Sequence, residues 1–510
     1  MPWLQRISIT LFMITVLAGC GSLPDQVEHL DEPIMSLPTT SLSIMSQRHA
    51  LEVPEQGLSA VVLQDTGYEA LSQRLALVES AEQSIDIQYY IWHSDHSGSY
   101  LAKRLVAAAD RGVSIRVMLD DINVDEREEL LIALNRHPNI EIRIFNPIPT
   151  RSGFAKWLNV LGDFSRLNRR MHNKSFTVDG AVSVVGGRNI GDEYFDLSDD
   201  INFRDRDVMV MGPVVEEIQT SFVGYWNSEW SYPIELLGDN ASAELILFEG
   251  ILAPLYAHYP TLPEGRAEAN QLLEQRMGEM DWVKAHYISD RPVPVDASNT
   301  EQPKETAIFL GKLMTQAQSE VLLESAYLVF DDLQLEEMEK LTSNGLEIKA
   351  LTNSMASNDL VTNHSAYAGR RKEMLEHGIQ LFELKPDSEL CQVSTQDVEK
   401  CAPNTAYGLH TKSSVFDREI AGIGSFNFNL RSTYLNTESL LVIEDEAFAQ
   451  RLAAEMDQSM NDSNSWYLNI VDGEVRWYSD SDSWSEEPDT GQWDRFQSWF
   501  LQLLPIEKYL

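Results

Sequence analysis

The sequence predicts an α/β protein made by duplication, each copy a mixed, mostly parallel sheet flanked by helices, the two copies related by a pseudo-twofold axis. Three observations carry this. Strand-like and helix-like runs alternate along the chain, and the same order of runs returns about 240 residues later. A single template also closes both copies: His, any residue, Lys, four residues, Asp, six residues, Gly, Gly or Ser, any residue, Asn. A length of 510 residues with 43% apolar side chains is ample for two cores.

Taken in order, Met1 to Arg6, the apolar run Ile7 to Leu17 and Leu17-Ala18-Gly19-Cys20 look like a bacterial lipoprotein signal, with Cys20 as the lipidated residue. An ordinary secretory peptide is the alternative. Residues 1–19 are then the signal, and Gly21 and Ser22 after Cys20, in place of an Asp, point to the outer membrane and a periplasm-facing protein. Residues 20–55, with Pro24, Pro33 and Pro38, read as a tether.

The first domain is expected over 56–234. Ser84 to Tyr90 and Val113 to Leu119 are strand-like, and Tyr100 to Arg111 between them is helix-like and stops at Gly112. The second domain, 302–470, repeats the order. Glu320 to Ser325 is a strand, Leu333 to Ser343 a helix stopped at Gly345, and Leu346 to Thr352 a strand. A helix from His364 to Glu376 closes at Gly378 and leads into the strand Ile379 to Leu384. Residues 235–301, with five prolines between Pro254 and Pro294, read as a linker with helical content. Residues 471–510 hold an acidic stretch and a C-terminal helix. On that helix Trp493, Phe496, Trp499, Phe500, Leu501, Leu503 and Leu504 either pack on the domain or dip into a lipid interface.

The chain carries 39 basic and 79 acidic residues, a net charge of −40. A protein that holds nucleic acid by its overall field needs the opposite sign, so any phosphate site must be local. In an oxidising compartment Cys391 and Cys401 can close a short disulfide loop; as a zinc site they supply half a ligand set.

The repeated template reads His172, Lys174, Asp179, Gly186, Gly187, Asn189 in the first copy and His410, Lys412, Asp417, Gly424, Ser425, Asn427 in the second. Residues two apart share a face of an extended strand, so each His and Lys project together. Asp179-Gly180 signals a hairpin. With its centre between those residues, Gly187 falls opposite His172 and Asn189 emerges beside it. The small residue is then expected to leave room for substrate, and Asp179 and Asp417 sit at the turns as structural residues.

This pair of motifs resembles the phospholipase D superfamily, from about Leu58 to the C-terminus. Within it the chain is most similar to bacterial cardiolipin synthases of the periplasm-facing branch, through Gln88 to His93, Asn189 to Phe195, Phe203-Arg204-Asp205, Asn436-Thr437-Glu438 and Leu504 to Glu507. The resemblance implies two phospholipase D-like domains with no metal or other cofactor, the positive charge coming from the lysines. It implies His172 as nucleophile, giving a phosphohistidine, and His410 as general acid and then base. Lys174, Lys412, Asn189 and Asn427 would clamp the phosphate. Asp205 and Glu438 would orient the histidines, with Asp207 competing for the role of Asp205.

The expected reaction is phosphatidyl transfer to phosphatidylglycerol to make cardiolipin, from phosphatidylglycerol or phosphatidylethanolamine, at a membrane reached through Cys20. Hydrolysis of phospholipids is the alternative, and a nuclease a more remote one. Arg166, Arg169 and Arg170 are candidates for headgroup contact or ordinary exposed cations.

Overall fold

A computed structural model describes residues 32–34, 39–53, 55–124, 128–148, 164–237, 248, 250–292 and 302–502. The signal, Cys20, Leu503, Leu504 and Leu504 to Glu507 lie outside them. Among the described residues no helix is long and apolar enough to cross a membrane.

The strands of the first half are β1 (Ser59–Gln64), β2 (Ser84–Tyr89), β3 (Ser114–Asp120), β4 (Ile140–Phe145), β5 (Ser175–Val178), β6 (Val182–Gly186), β7 (Ile201–Arg204), β8 (Asp207–Met211) and β9 (Ser231–Pro233). Those of the second are β10 (Asp281–Ser289), β11 (Glu320–Ser325), β12 (Glu347–Asn353), β13 (Ile379–Leu384), β14 (Ala406–Leu409), β15 (Lys412–Phe416), β16 (Ile420–Gly424), β17 (Ser439–Glu444), β18 (Ser465–Val471), β19 (Glu474–Ser479) and β20 (Asp482–Trp484). The helices used below are α1 (Ser41–Leu51), α2 (Gly67–Ser80), α3 (His96–Asp110), α4 (Glu128–Asn135), α5 (Val214–Trp226), α6 (Arg266–Gly278), α7 (Glu305–Gln316), α8 (Asp332–Ser343), α9 (Val361–Glu376), α10 (Glu446–Ser459) and α11 (Gln492–Gln502).

The expected strand–helix–strand units are present. Gly112 and Gly345 end α3 and α8 with φ of 98° and 99°, where a side chain would be strained. The ladders run β9-β4-β3-β2-β5-β6-β8-β1 and then, in matching order, β10-β17-β16-β15-β11-β12-β13-β18, extended by β19 and β20. The two series meet where β1 pairs antiparallel with β10, Ala60 opposite Trp282, as a twofold relation of the halves requires.

The expectation of a mostly parallel sheet needs correction. Among the described residues of this sheet only β2-β3-β4 and β11-β12-β13 are parallel, the places where α3, α4, α8 and α9 supply crossovers. The remaining ladders of this sheet are antiparallel, because the hairpins of the repeated template and their neighbours return without a helix.

Each half has its own core, and a third apolar cluster is shared. Val61, Val185, Val208 and Val210 pack there with Val415, Ile423, Leu441 and Ile443. Burial of about twenty such side chains holds the halves as one body.

Other expectations shift. The presumed tether contains α1, which seats Leu42 in the first core and ties Ser41 to Glu82. The presumed linker contains α6 and β10, a strand hidden from sequence inspection because most of its side chains are only partly buried. The acidic C-terminal stretch contributes β20, and Trp477 of β19 is buried in the second core. Helix α11 packs on α9 with Ser498 buried, whereas Trp493, Phe496, Trp499 and Phe500 are 50–65% exposed. Arg170 is fully buried against Asp120 and Arg166 is bonded to Asn146, so neither is the free exposed cation the sequence suggested.

Candidate active site

The motif hairpins are β5-β6 and β15-β16. Their registers, Val178 opposite Val182 and Phe416 opposite Ile420, centre the turns on Gly180 and Arg418, one residue away from the expected frame. The loops have three residues, with consecutive left-handed positions at Asp179 and Gly180 and at Asp417 and Arg418. Asp179 accepts main-chain N–H bonds from Glu82, Gln83 and Ser84, and Asp417 those of Gln318, Ser319 and Glu320. These carboxylates pin the starts of β2 and β11, far along the hairpins from the histidines.

The stretch before each hairpin crosses to the other half. His172 donates its main-chain N–H to the carbonyl of Thr437, and Met171 bridges Thr437 in parallel. In the same way β14 pairs parallel with β7, and His410 N–H bonds the carbonyl of Arg204. The carboxylates are therefore exchanged. Glu438 lies 2.8 Å from His172 Nδ1, and Asp205 lies 2.5 Å from His410 Nδ1. Asp207, the competitor of Asp205, pairs with Arg74 at 2.8 Å.

Gly187 and Ser425 have a purpose other than the expected one. A Cβ on Gly187 would stand 2.3 Å from Asp205 Oδ1, so the missing side chain makes room for the carboxylate. In the second half Ser425 Oγ donates to Glu438 Oε2, and the Ser425 carbonyl also faces His172 Nδ1 at 3.0 Å. Glu438 accepts further bonds from Ser432 and Asn436, so its carboxylate is held on both oxygens.

His172, His410, Asn189 and Asn427 line one cavity of about 480 Å³. Lys174 and Lys412 are buried alongside, each donating to the carbonyl of its own motif histidine, at 2.7 and 2.5 Å. Burial, with the lysine charges, lowers His172 to about 4 against the pull of Glu438. Burial and the repulsion of Lys412 and Lys174 put His410 well below the ordinary value. Both imidazoles are thus neutral. Burial raises the Glu438 carboxyl, but His172 and Lys174 more than offset it, so it stays ionised. Nδ1 of His172 then carries the proton shared with Glu438, leaving the Nε2 lone pair on the opposite side of the ring. Burial lowers Lys174 to about 7 and Lys412 to about 8.

Several site residues escaped sequence reasoning. Tyr90 packs edge-on to His172 and Tyr194 edge-on to His410. Tyr327, bonded to Asp359, and Arg431 line the cavity. Only Tyr90 and Tyr194 had a signal, since they lie in the stretches that carried the family resemblance. Away from the site, Cys391 and Cys401 form a disulfide with Cα atoms 5.8 Å apart, which removes the zinc alternative.

The family description "Cardiolipin synthase, PLD-like domain" matches residues 75–226 and again 310–460, one match per half. The chain is 37% identical over 455 residues to cardiolipin synthase C of Escherichia coli K12, covering 86% of this chain and 93% of that protein. It is 26% identical over 410 residues to cardiolipin synthase A of Pseudomonas syringae pv. syringae B728a, covering 80% and 70%. In fold it is similar to the crystal structure of phosphatidylserine synthase of Haemophilus influenzae Rd KW20, with a TM-score of 0.57 at 13% identity over 91% of this chain and 100% of that one. With both halves matched and the relationship running through most of its length, this chain belongs to the cardiolipin synthase, PLD-like family of the phospholipase D superfamily.

Proposed function

We propose that the protein is a phosphatidyltransferase that makes cardiolipin, by moving a phosphatidyl group from a donor phospholipid to phosphatidylglycerol. The observation that carries the reading is the pair of motif histidines on one cavity, each held at Nδ1 by a carboxylate of the opposite half. In the first step Nε2 of His172 forms a bond to phosphorus while the bond to the leaving alcohol oxygen breaks. His410 Nε2–H protonates that oxygen. The negative phosphodiester favours the imidazolium form of His410 that burial and the lysines oppose in the free protein.

In the second step a glycerol hydroxyl of phosphatidylglycerol yields its proton to His410, its oxygen bonds to phosphorus, and the phosphorus–nitrogen bond breaks. Lys174, Lys412, Asn189 and Asn427 balance charge on the non-bridging oxygens. Tethering through Cys20 on the periplasmic side of the envelope would present this cavity to lipid at high local concentration. The net charge of −40 speaks against a nucleic-acid substrate.

The test is mixed vesicles of phosphatidylglycerol and phosphatidylethanolamine with a chelator, and wild-type, His172→Ala and His410→Ala proteins. Cardiolipin from the wild type alone is expected, with released glycerol or ethanolamine identifying the donor. Phosphatidic acid as the sole product would make the protein a hydrolase instead.

A further inference from the structure

Asp290 follows β10, in the segment between the two motif-bearing halves, and touches neither histidine. It is 2% exposed. Its main-chain N–H donates to the carbonyl of Glu438 at 2.9 Å, and its Oδ2 accepts the N–H of Glu438 at 2.8 Å. Its Oδ1 accepts the N–H and hydroxyl of Thr306, in the first turn of α7, at 2.8 and 3.0 Å. Tyr225 of α5 donates its hydroxyl to the Asp290 carbonyl at 2.6 Å. One residue therefore grips both main-chain polar groups of the residue that holds His172, and anchors that grip to two helices.

The first half has a different arrangement. The carbonyl of Asp205 is held by Arg188, a permanent cation. Support of the His172 side thus depends on a group that titrates, and support of the His410 side on one that does not.

We infer that Asp290 is a positioning residue for the reaction, acting through the main chain of Glu438 to set the carboxylate against His172 Nδ1. The inference rests on the transfer reading above. Around Asp290 the charged or titratable groups are Glu438, Lys304 just before α7, Tyr225 on α5, Tyr287 on β10, and Glu216, Glu217, Arg291 and Glu305 along an adjoining cavity. Burial, helped by the charge of Glu438, raises the Asp290 carboxyl to about 6 although three donors point at it. Protonation places a hydrogen among those donors and loosens the grip on Glu438. The wild-type rate should therefore fall as the pH drops through about 6.

The experiment compares the pH dependence of kcat and KM for the full-length wild type, Asp290→Asn and Thr306→Val on the same vesicles, with folding checked by circular dichroism. For Asp290→Asn a loss of about 10–100-fold in kcat is expected, with KM changed less than about threefold and the acid limb near pH 6 gone. Thr306→Val removes one donor to the ionised carboxylate, together with a longer contact of the same hydroxyl to the Glu438 carbonyl at 3.4 Å. Its acid limb should move to higher pH, because the ionised carboxylate loses a donor. Folded Asp290→Asn protein with kcat within about twofold of wild type, or with the same acid limb, overturns the inference. If Asp290→Asn does not fold, an unmoved limb in Thr306→Val does so. Failure of the wild type to make cardiolipin would instead sink the transfer reading itself.

Discussion

His172 and Glu438 are 266 residues apart in the chain, yet the Nδ1 of one and the Oε2 of the other are 2.8 Å apart in a fully buried hydrogen bond. The reciprocal pair, His410 and Asp205, makes the exchange complete. Neither half supplies both the histidine and its carboxylate by itself, so each pair exists only where the halves are joined.

Breaking either pair should cost turnover with little effect on folding. Glu438→Gln and Asp205→Asn preserve shape but favour the wrong tautomer or remove the counter-charge, and a loss on the order of 10²–10⁴ in kcat is expected. Steady-state cardiolipin formation, normalised to folded protein, checks this. Equal rates in either variant and the wild type would rule out orientation by that carboxylate.

At position 187 any side chain competes with a carboxylate for the same space. Gly187→Ala should displace Asp205 from His410 and lower kcat by about 10²-fold or more, since its Cβ would stand 2.3 Å from Asp205 Oδ1. Ser425→Ala removes one hydrogen bond to Glu438 and the acceptor of the Ser439 N–H without crowding the carboxylate, and should cost about tenfold or less. Parallel assays of the two variants test the order.

The aspartates of the repeated template should behave as structural residues. Asp179→Ala leaves the N–H groups of Glu82, Gln83 and Ser84 without their acceptor and should lower stability by about 1–3 kcal/mol. The folded fraction should keep most of the wild-type kcat. Chemical denaturation together with activity per folded molecule separates this from a catalytic role, in which activity falls without loss of stability.

The lysine pair sets an alkaline limit. Lys174 and Lys412 lose their protons near pH 7 and 8 in the free protein, so anion attraction should weaken as pH rises through that window. Their effect on folding has the opposite sign. The unfolded chain holds these protons to higher pH than the native one, so their contribution to stability rises with pH there. Bound phosphodiester stabilises the ammonium forms, and the alkaline limb should lie at higher pH in kcat than in kcat/KM. A kcat/KM profile flat from pH 6 to 9 would contradict this.

Much of the site was legible because its key signals are local. His172 with Lys174, and His410 with Lys412, are two apart on extended chain, and a spacing of two places side chains together wherever the strand ends up. The turn aspartates were legible for the same reason. The register was missed by one residue, because consecutive left-handed positions at Asp179 and Gly180 make a three-residue loop out of what reads as a two-residue turn. Strand β10 was missed because only Val283 and Tyr287 are firmly buried in it. Arg170 read as a surface cation, and its buried partner Asp120 lies 50 residues away.

By itself the sequence determined the duplication, the paired imidazoles and ammonium groups, and the strand–helix alternation that carries them, since each depends on residues a few positions apart. Only the tertiary structure decided which carboxylate serves which histidine, why Gly187 is small, and that Asp290 holds Glu438. Those relations join segments 18 to 266 residues apart, and their geometry is set by how β1 meets β10 and how each motif strand crosses to the opposite half, which no local pattern encodes.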